Sequence, residues 1–122
     1  VSDLPRGWTL SNRVVNSGTA AVTVPGINGV LHVLDSVSAK IATSGAASLY
    51  TTVLLNSSDT VYTAFVLGEL IAQSAAGASS SDSFSLSGLD LAATAGAALT
   101  ITFYSAAIAN TDEFLIVQGH DV

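Results

Sequence analysis

The sequence predicts an all-β fold, an antiparallel β-sandwich of about eight strands, and three observations predict it. Apolar residues recur with a period of two rather than 3.6. The residues at those positions are often β-branched or aromatic, the types that pack well on a pleated, half-buried surface. Clusters of Gly, Pro, Asn, Asp and Ser interrupt the alternation at short intervals, with no clear amphipathic helix between them.

Taken in order, Ala20, Val22 and Val24 alternate until Pro25-Gly26 stops the strand. Leu31, Val33, Val37, Ala39 and Ile41 share one parity, and His32, Ser36, Ser38 and Lys40 share the other. This predicts a strand with one wet face, and Asp35, which breaks the apolar set, marks a bulge. Leu49, Thr51, Val53 and Leu55 give the next strand, and Val61, Thr63, Phe65 and Leu67 the one after. Asn56-Ser57-Ser58-Asp59 between them are turn formers and predict a hairpin. Residues 68–78 admit a turn of helix through Leu70, Ile71 and several alanines, or equally a strand running into a loop.

Residues 75–81, rich in Ala, Gly and Ser, read as an exposed loop. Phe84 and Leu86 then alternate with Ser83, Ser85 and Ser87. Residues 92–98 connect this strand to the next, where Leu99, Ile101 and Phe103 alternate with Thr100, Thr102 and Tyr104. The last strand carries Phe114, Ile116 and Gln118 on one face and Leu115 and Val117 on the other, so it is expected to lie centrally or against a partner. Residues 1–18 form an N-terminal arm or a first strand, and residues 19–122 a single sandwich domain. Jelly roll is the preferred topology for such a set of strands.

Composition narrows the function. A chain of 122 residues buries roughly two-thirds of its unfolded surface, enough for one core. The net charge is -6 and only Arg6, Arg13 and Lys40 are basic, which argues against unspecific binding to nucleic acid or anionic membrane. The absence of cysteine excludes a disulfide scaffold and a cysteine-based zinc site. No apolar run approaches the ~20 residues of a membrane span, and the opening residues lack the regions of a signal peptide. A soluble chain that has lost only an initiator methionine is expected.

Candidate chemistry is sparse: His32, His120, Asp35, Asp121 and Asp90 are the groups available, without an HxH, HExxH or calcium-loop pattern. Each histidine is expected at the surface or a strand edge. His120 and Asp121, as neighbours on one strand, should face opposite sides. Serine and threonine are abundant, but no motif such as Gly-x-Ser-x-Gly places a base beside one. No enzyme activity, cofactor or metal is therefore expected. The glycosylation sequon Asn56-Ser57-Ser58 is expected to be unused.

Trp8 supports two readings, an anchor that docks on a partner or a cap on the chain's own core. Tyr50, Tyr62 and Tyr104 fall opposite their strands' main apolar sets and could form a sugar- or protein-binding surface. Leu34, Leu54, Tyr62, Ala64, Val66, Leu115 and Val117 fall on faces that one small sandwich would leave partly in water, which predicts association with other copies, most simply as a homotrimer.

The segment Ser87-Gly88-Leu89-Asp90-Leu91-Ala92-Ala93-Thr94-Ala95-Gly96, the following Ala97-Ala98-Leu99-Thr100-Ile101-Thr102-Phe103 and the ending Val117-Gln118-Gly119-His120-Asp121-Val122 resemble the small jelly-roll decoration, or cement, proteins of tailed-bacteriophage capsids. The likeness is one of texture and strand spacing over most of the chain after Gly18. It implies a non-enzymatic virion protein that binds the major capsid protein on the outer capsid surface as an oligomer. It makes the segment through Trp8 and Leu10 a capsid-facing arm. Trp8, Leu10, Arg13 and Tyr62 are the candidate partner-binding residues. The runner-up is a carbohydrate- or receptor-binding module of a phage fibre or tail tip, using Tyr50, Tyr62 or loop residues. A cupin-like enzyme lacks its histidine set, and a pilus subunit its cysteine pair.

Overall fold

The computed structural model describes residues 6–15, 19–45, 47–57, 65–92, 94–104 and 110–122. These form nine strands: β1 (Arg6–Val15), β2 (Ala21–Val24), β3 (His32–Ser44), β4 (Ala47–Ser57), β5 (Phe65–Ser74), β6 (Ser79–Leu86), β7 (Leu91–Ala92), β8 (Leu99–Tyr104) and β9 (Thr111–Asp121). Two sheets result. One has the order β1-β9-β3-β6, with β7 also paired to β3; the other runs β2-β8-β4-β5.

Leaving aside the two-residue β7, the strands make four antiparallel pairs nested one inside the next: β1 with β9, β2 with β8, β3 with β6, and β4 with β5. The pairs alternate between sheets, and β9·β3 and β8·β4 contacts complete each sheet. A long hairpin rolled in this way is a jelly roll, so the chain is an antiparallel β-sandwich of that kind.

The core lies between the sheets. Val37, Ala39, Ile41, Leu115 and Val117 face it from the first sheet, and Val22, Val24, Val53, Leu70, Leu99, Ile101 and Phe103 from the second. Each large aliphatic or aromatic side chain withdrawn completely from water contributes about 1.5–3 kcal/mol. Alternation is clear in β9, whose odd positions from Thr111 to Gly119 are buried while the even ones are not. The second sheet's outer face is finished with hydroxyls, as where Thr23 Oγ1 and Thr100 Oγ1 lie 3.2 Å apart.

The strand through Asp35 contains the expected bulge: the β3–β9 register passes from Leu34↔Gly119 directly to Ser36↔Gln118, leaving Asp35 extra. One inserted residue reverses the parity that faces the core. Before it, His32 and Leu34 point inward; beyond it, Val37, Ala39, Ile41 and Thr43 do. The expectation that His32 belongs to the wet face is therefore corrected, since it is 0% exposed. The expectation that Leu34, Leu115 and Val117 form a surplus apolar face is corrected too, because all three lie in the core. Val66 is exposed as expected. Leu54's side chain, Tyr62 and Ala64 lie outside the described residues.

Residues 68–74 are strand, not helix, and residues 79–81 belong to β6 rather than to an exposed loop. The turn between β5 and β6 is held by Ala78 N–H donating to the Ala75 carbonyl at 3.0 Å. β4 continues through Asn56 and Ser57, the first half of the expected turn; Ser58, Asp59 and the start of the following strand fall outside the described residues. Among the described residues no helix is long and apolar enough to cross a membrane.

Candidate functional site

Four polar side chains concentrate where β9 ends beside the start of β3. Leu31 and Val122 exchange both backbone hydrogen bonds, at 3.1 and 2.9 Å. The next pair, His32↔Asp121, is consequently the closely spaced kind in which side chains approach most nearly. His32 Nδ1 lies 2.6 Å from Asp121 Oδ1, and Nε2 lies 2.8 Å from the Pro25 carbonyl oxygen. The carbonyl can only accept, so Nε2 carries a hydrogen; the Nδ1 contact then requires one proton held between ring and carboxylate. Trp8 Nε1 donates to the same Asp121 oxygen at 3.0 Å. This buried group thus joins β1, β9, β3 and the loop after β2.

On the other side of the sheet His120 Nδ1 lies 2.7 Å from Asp35 Oδ2, with side-chain exposures of 28% and 43%. The bulge makes this contact possible by turning Asp35 outward beside β9, while the Asp35 carbonyl accepts from Leu89 N–H at 3.0 Å. His120 and Asp121 do face opposite sides, but each takes a partner from β3. The two histidines are therefore separated by the sheet. Among the described residues no group of three or more His, Asp or Glu is placed to hold a metal ion.

Other ionisable groups also link strands. Glu113, 1% exposed, accepts the Ala20 backbone N–H on Oε1 at 2.9 Å, closing the entry to β2. Arg13 makes a bidentate pair with Asp112 across β1 and β9, with contacts of 2.7 and 3.1 Å. Hydrogen bonds from Arg13 hold the Asp112 carboxyl below the ordinary carboxylate range, and its partial burial opposes them. Asp82 Oδ2 accepts the Ile71 N–H at 3.0 Å, covering a donor on the edge strand β5.

The candidate partner residues do not gather on one surface. Trp8 and Leu10 turn inward and pack against the core, whereas Arg13 is on the outer face. Trp8 crosses Gly119, where an added Cβ would sit 2.2 Å from the indole and 2.3 Å from the Val33 carbonyl oxygen. Tyr62 lies outside the described residues, as do the side chains of Tyr50 and Tyr104. The outer face of the first sheet carries Lys40 and Phe114, directly paired in register, and the β6 serines beside them. The sequence signalled its polar part through the parity shared by Ser36, Ser38 and Lys40, and its apolar part through Phe114 and Ile116, the set on the last strand opposite Leu115 and Val117.

The fold and these strand-to-strand links define a jelly-roll β-sandwich protein. No family model matches the chain, and no curated protein does. Among solved structures it is similar to a chain of the XSV virus-like particle, the extra small virus of the giant freshwater prawn Macrobrachium rosenbergii. That similarity has 14% identity and a TM-score of 0.28 over 98% of this chain and 82% of the other.

Proposed function

We propose that this chain is a non-enzymatic structural protein of a virus particle, which decorates and stabilises a phage capsid by binding the assembled shell as an oligomer. One observation carries the reading: both histidines, the buried Glu113 and the partly buried Asp121 are engaged in holding strands together. Jelly rolls serve in capsids, lectins and cupins. Chemistry of the cupin kind needs a convergent metal-ligating set, whereas His32 and His120 lie on opposite sides of one sheet, each with its own aspartate.

A rigid sandwich of low charge suits binding through shape and hydrogen bonds. A ligand that binds only the assembled shell stabilises it by mass action, about 2.7 kcal/mol when its free concentration is 100 times its Kd. The test uses shells assembled from the major capsid protein encoded in the same genome. The chain should co-sediment with them, raise their resistance to heat and low salt, and bind with only mild dependence on salt. Failure to bind those shells sinks the proposal. The trimer is tested separately by light scattering on the free chain.

A further inference from the structure

A shallow trough crosses the outer face of the first sheet. One part, of about 430 Å³, is lined by Arg13, Lys40, Ala42, Asp112 and Phe114. The other, of about 320 Å³, is lined by Ser38, Ser83 and Ser85 together with the same Lys40 and Phe114. Lys40 stands between them, opposite Phe114 on β9 and opposite Ser83 on β6. Phe114 is half-buried, so its ring supplies an apolar floor, and Ser38 and Ser85 pair their hydroxyls at 2.9 Å beside it.

The electrostatics here run against the rest of the molecule. Two of the three basic residues of a chain with net charge -6 line this trough. Asp112 is neutralised by its bidentate pair with Arg13. Lys40 is exposed, and among the described residues no hydrogen bond or salt bridge holds its ammonium. The local sum of Arg13, Asp112 and Lys40 is one positive charge. An apolar ring, a row of hydroxyls and one uncommitted ammonium on a flat sheet match a ligand with C–H faces, many hydroxyls and a single carboxylate.

We propose that this trough binds carbohydrate bearing a carboxylate, such as a sialic or uronic acid residue, with Phe114 beneath the sugar, Lys40 on its carboxylate, and Ser38, Ser83 and Ser85 on its hydroxyls. A protein partner is the less suited occupant, because a stable protein interface buries about 800 Å² on each side and is centred on large apolar anchors. Here one half-buried ring is the anchor. The inference does not rest on capsid binding, because the free chain carries every group it uses.

The experiment is retention of the full chain on an array of sialylated, uronic-acid-bearing and neutral glycans, followed by ¹⁵N chemical-shift titration with 3′-sialyllactose and with lactose. Carboxylated glycans should be held about tenfold more tightly than their neutral parents, the effect of one charge-assisted hydrogen bond. Amide shifts should centre on Lys40, Phe114 and Ser83. Lys40→Gln should abolish the preference for acid while leaving neutral binding in place, and Phe114→Ala, checked for folding by circular dichroism, should weaken both. Equal retention of acidic and neutral glycans, retention of neither, or shifts centred on the second sheet would overturn the proposal. So would a concentration-dependent dimer broken by Phe114→Ala, which would make a second copy the occupant.

Discussion

Replacing His32 with alanine removes a ring that is 0% exposed and makes two hydrogen bonds, one to a carboxylate and one to a backbone carbonyl. A hydrogen bond to a charged group contributes about 1.5–3 kcal/mol and a neutral one about 0.5–1.5. Asp121 retains the Trp8 N–H and is 18% exposed, and Pro25 lies at the surface, so water recovers part of the loss. The expected cost is about 3 kcal/mol, a large share of the 5–15 kcal/mol that stabilises an ordinary domain. It should appear as a fall in Tm of roughly 10 °C. Urea unfolding of His32→Ala, Asp121→Ala and the double variant, at one fixed protein concentration, isolates the pair itself, with a coupling of about 1.5–3 kcal/mol expected. His120→Ala is the internal control: its contact with Asp35 is nearly as short, but both groups are partly open to water, so less than about 1 kcal/mol should be lost. A coupling below about 0.5 kcal/mol for the buried pair, or an equal loss for the exposed one, would refute the claim that burial makes this link strong.

Gly119→Ala should cost about 3 kcal/mol or more, because its Cβ would collide with both the Trp8 ring and the Val33 carbonyl; adding Trp8→Leu should restore part of that stability in thermal melts. Asp82→Ala should lower stability by only about 1 kcal/mol but expose the Ile71 N–H on edge strand β5, where Val66 and Ile71 are already 51% and 60% exposed, so light scattering should register faster aggregation. Arg13 depresses the Asp112 pKa, so the pair adds stability above the ordinary carboxylate value and loses it as pH falls through the lowered one; Arg13→Gln should lower Tm slightly at neutral pH and converge on the parent in acid, so that the decline of Tm through the acidic range is flatter.

Much of the sandwich was legible because strands report themselves locally. Leu99, Ile101 and Phe103 alternate with threonines in sequence and face the core in the fold. The first strand was harder to recognise: its inward set Trp8, Leu10, Asn12 and Val14 contains an asparagine, which broke the apolar period. Its pairing with β9 joins residues about a hundred positions apart, and nothing in either segment specifies that register. On β9 itself both faces are apolar, so sequence could place the strand centrally without saying that Leu115 and Val117, and not Phe114 and Ile116, meet the core.

The polar links were hidden for a different reason. Asp35 was recognisable as a bulge, but the consequence of a bulge is non-local: it moves every earlier residue of the strand to the other face. Carried through, that single step sends His32 inward to Asp121 and turns Asp35 outward to His120, so the adjacent His120-Asp121 pair is divided between two contacts on opposite sides of the sheet. Lys40, five residues beyond the bulge, keeps to the outer face opposite Phe114, and among the described residues no carboxylate lies within salt-bridge distance of it. The extra residue in β3 thus sends one histidine-aspartate contact to the inner side of the sheet and the other to its outer side.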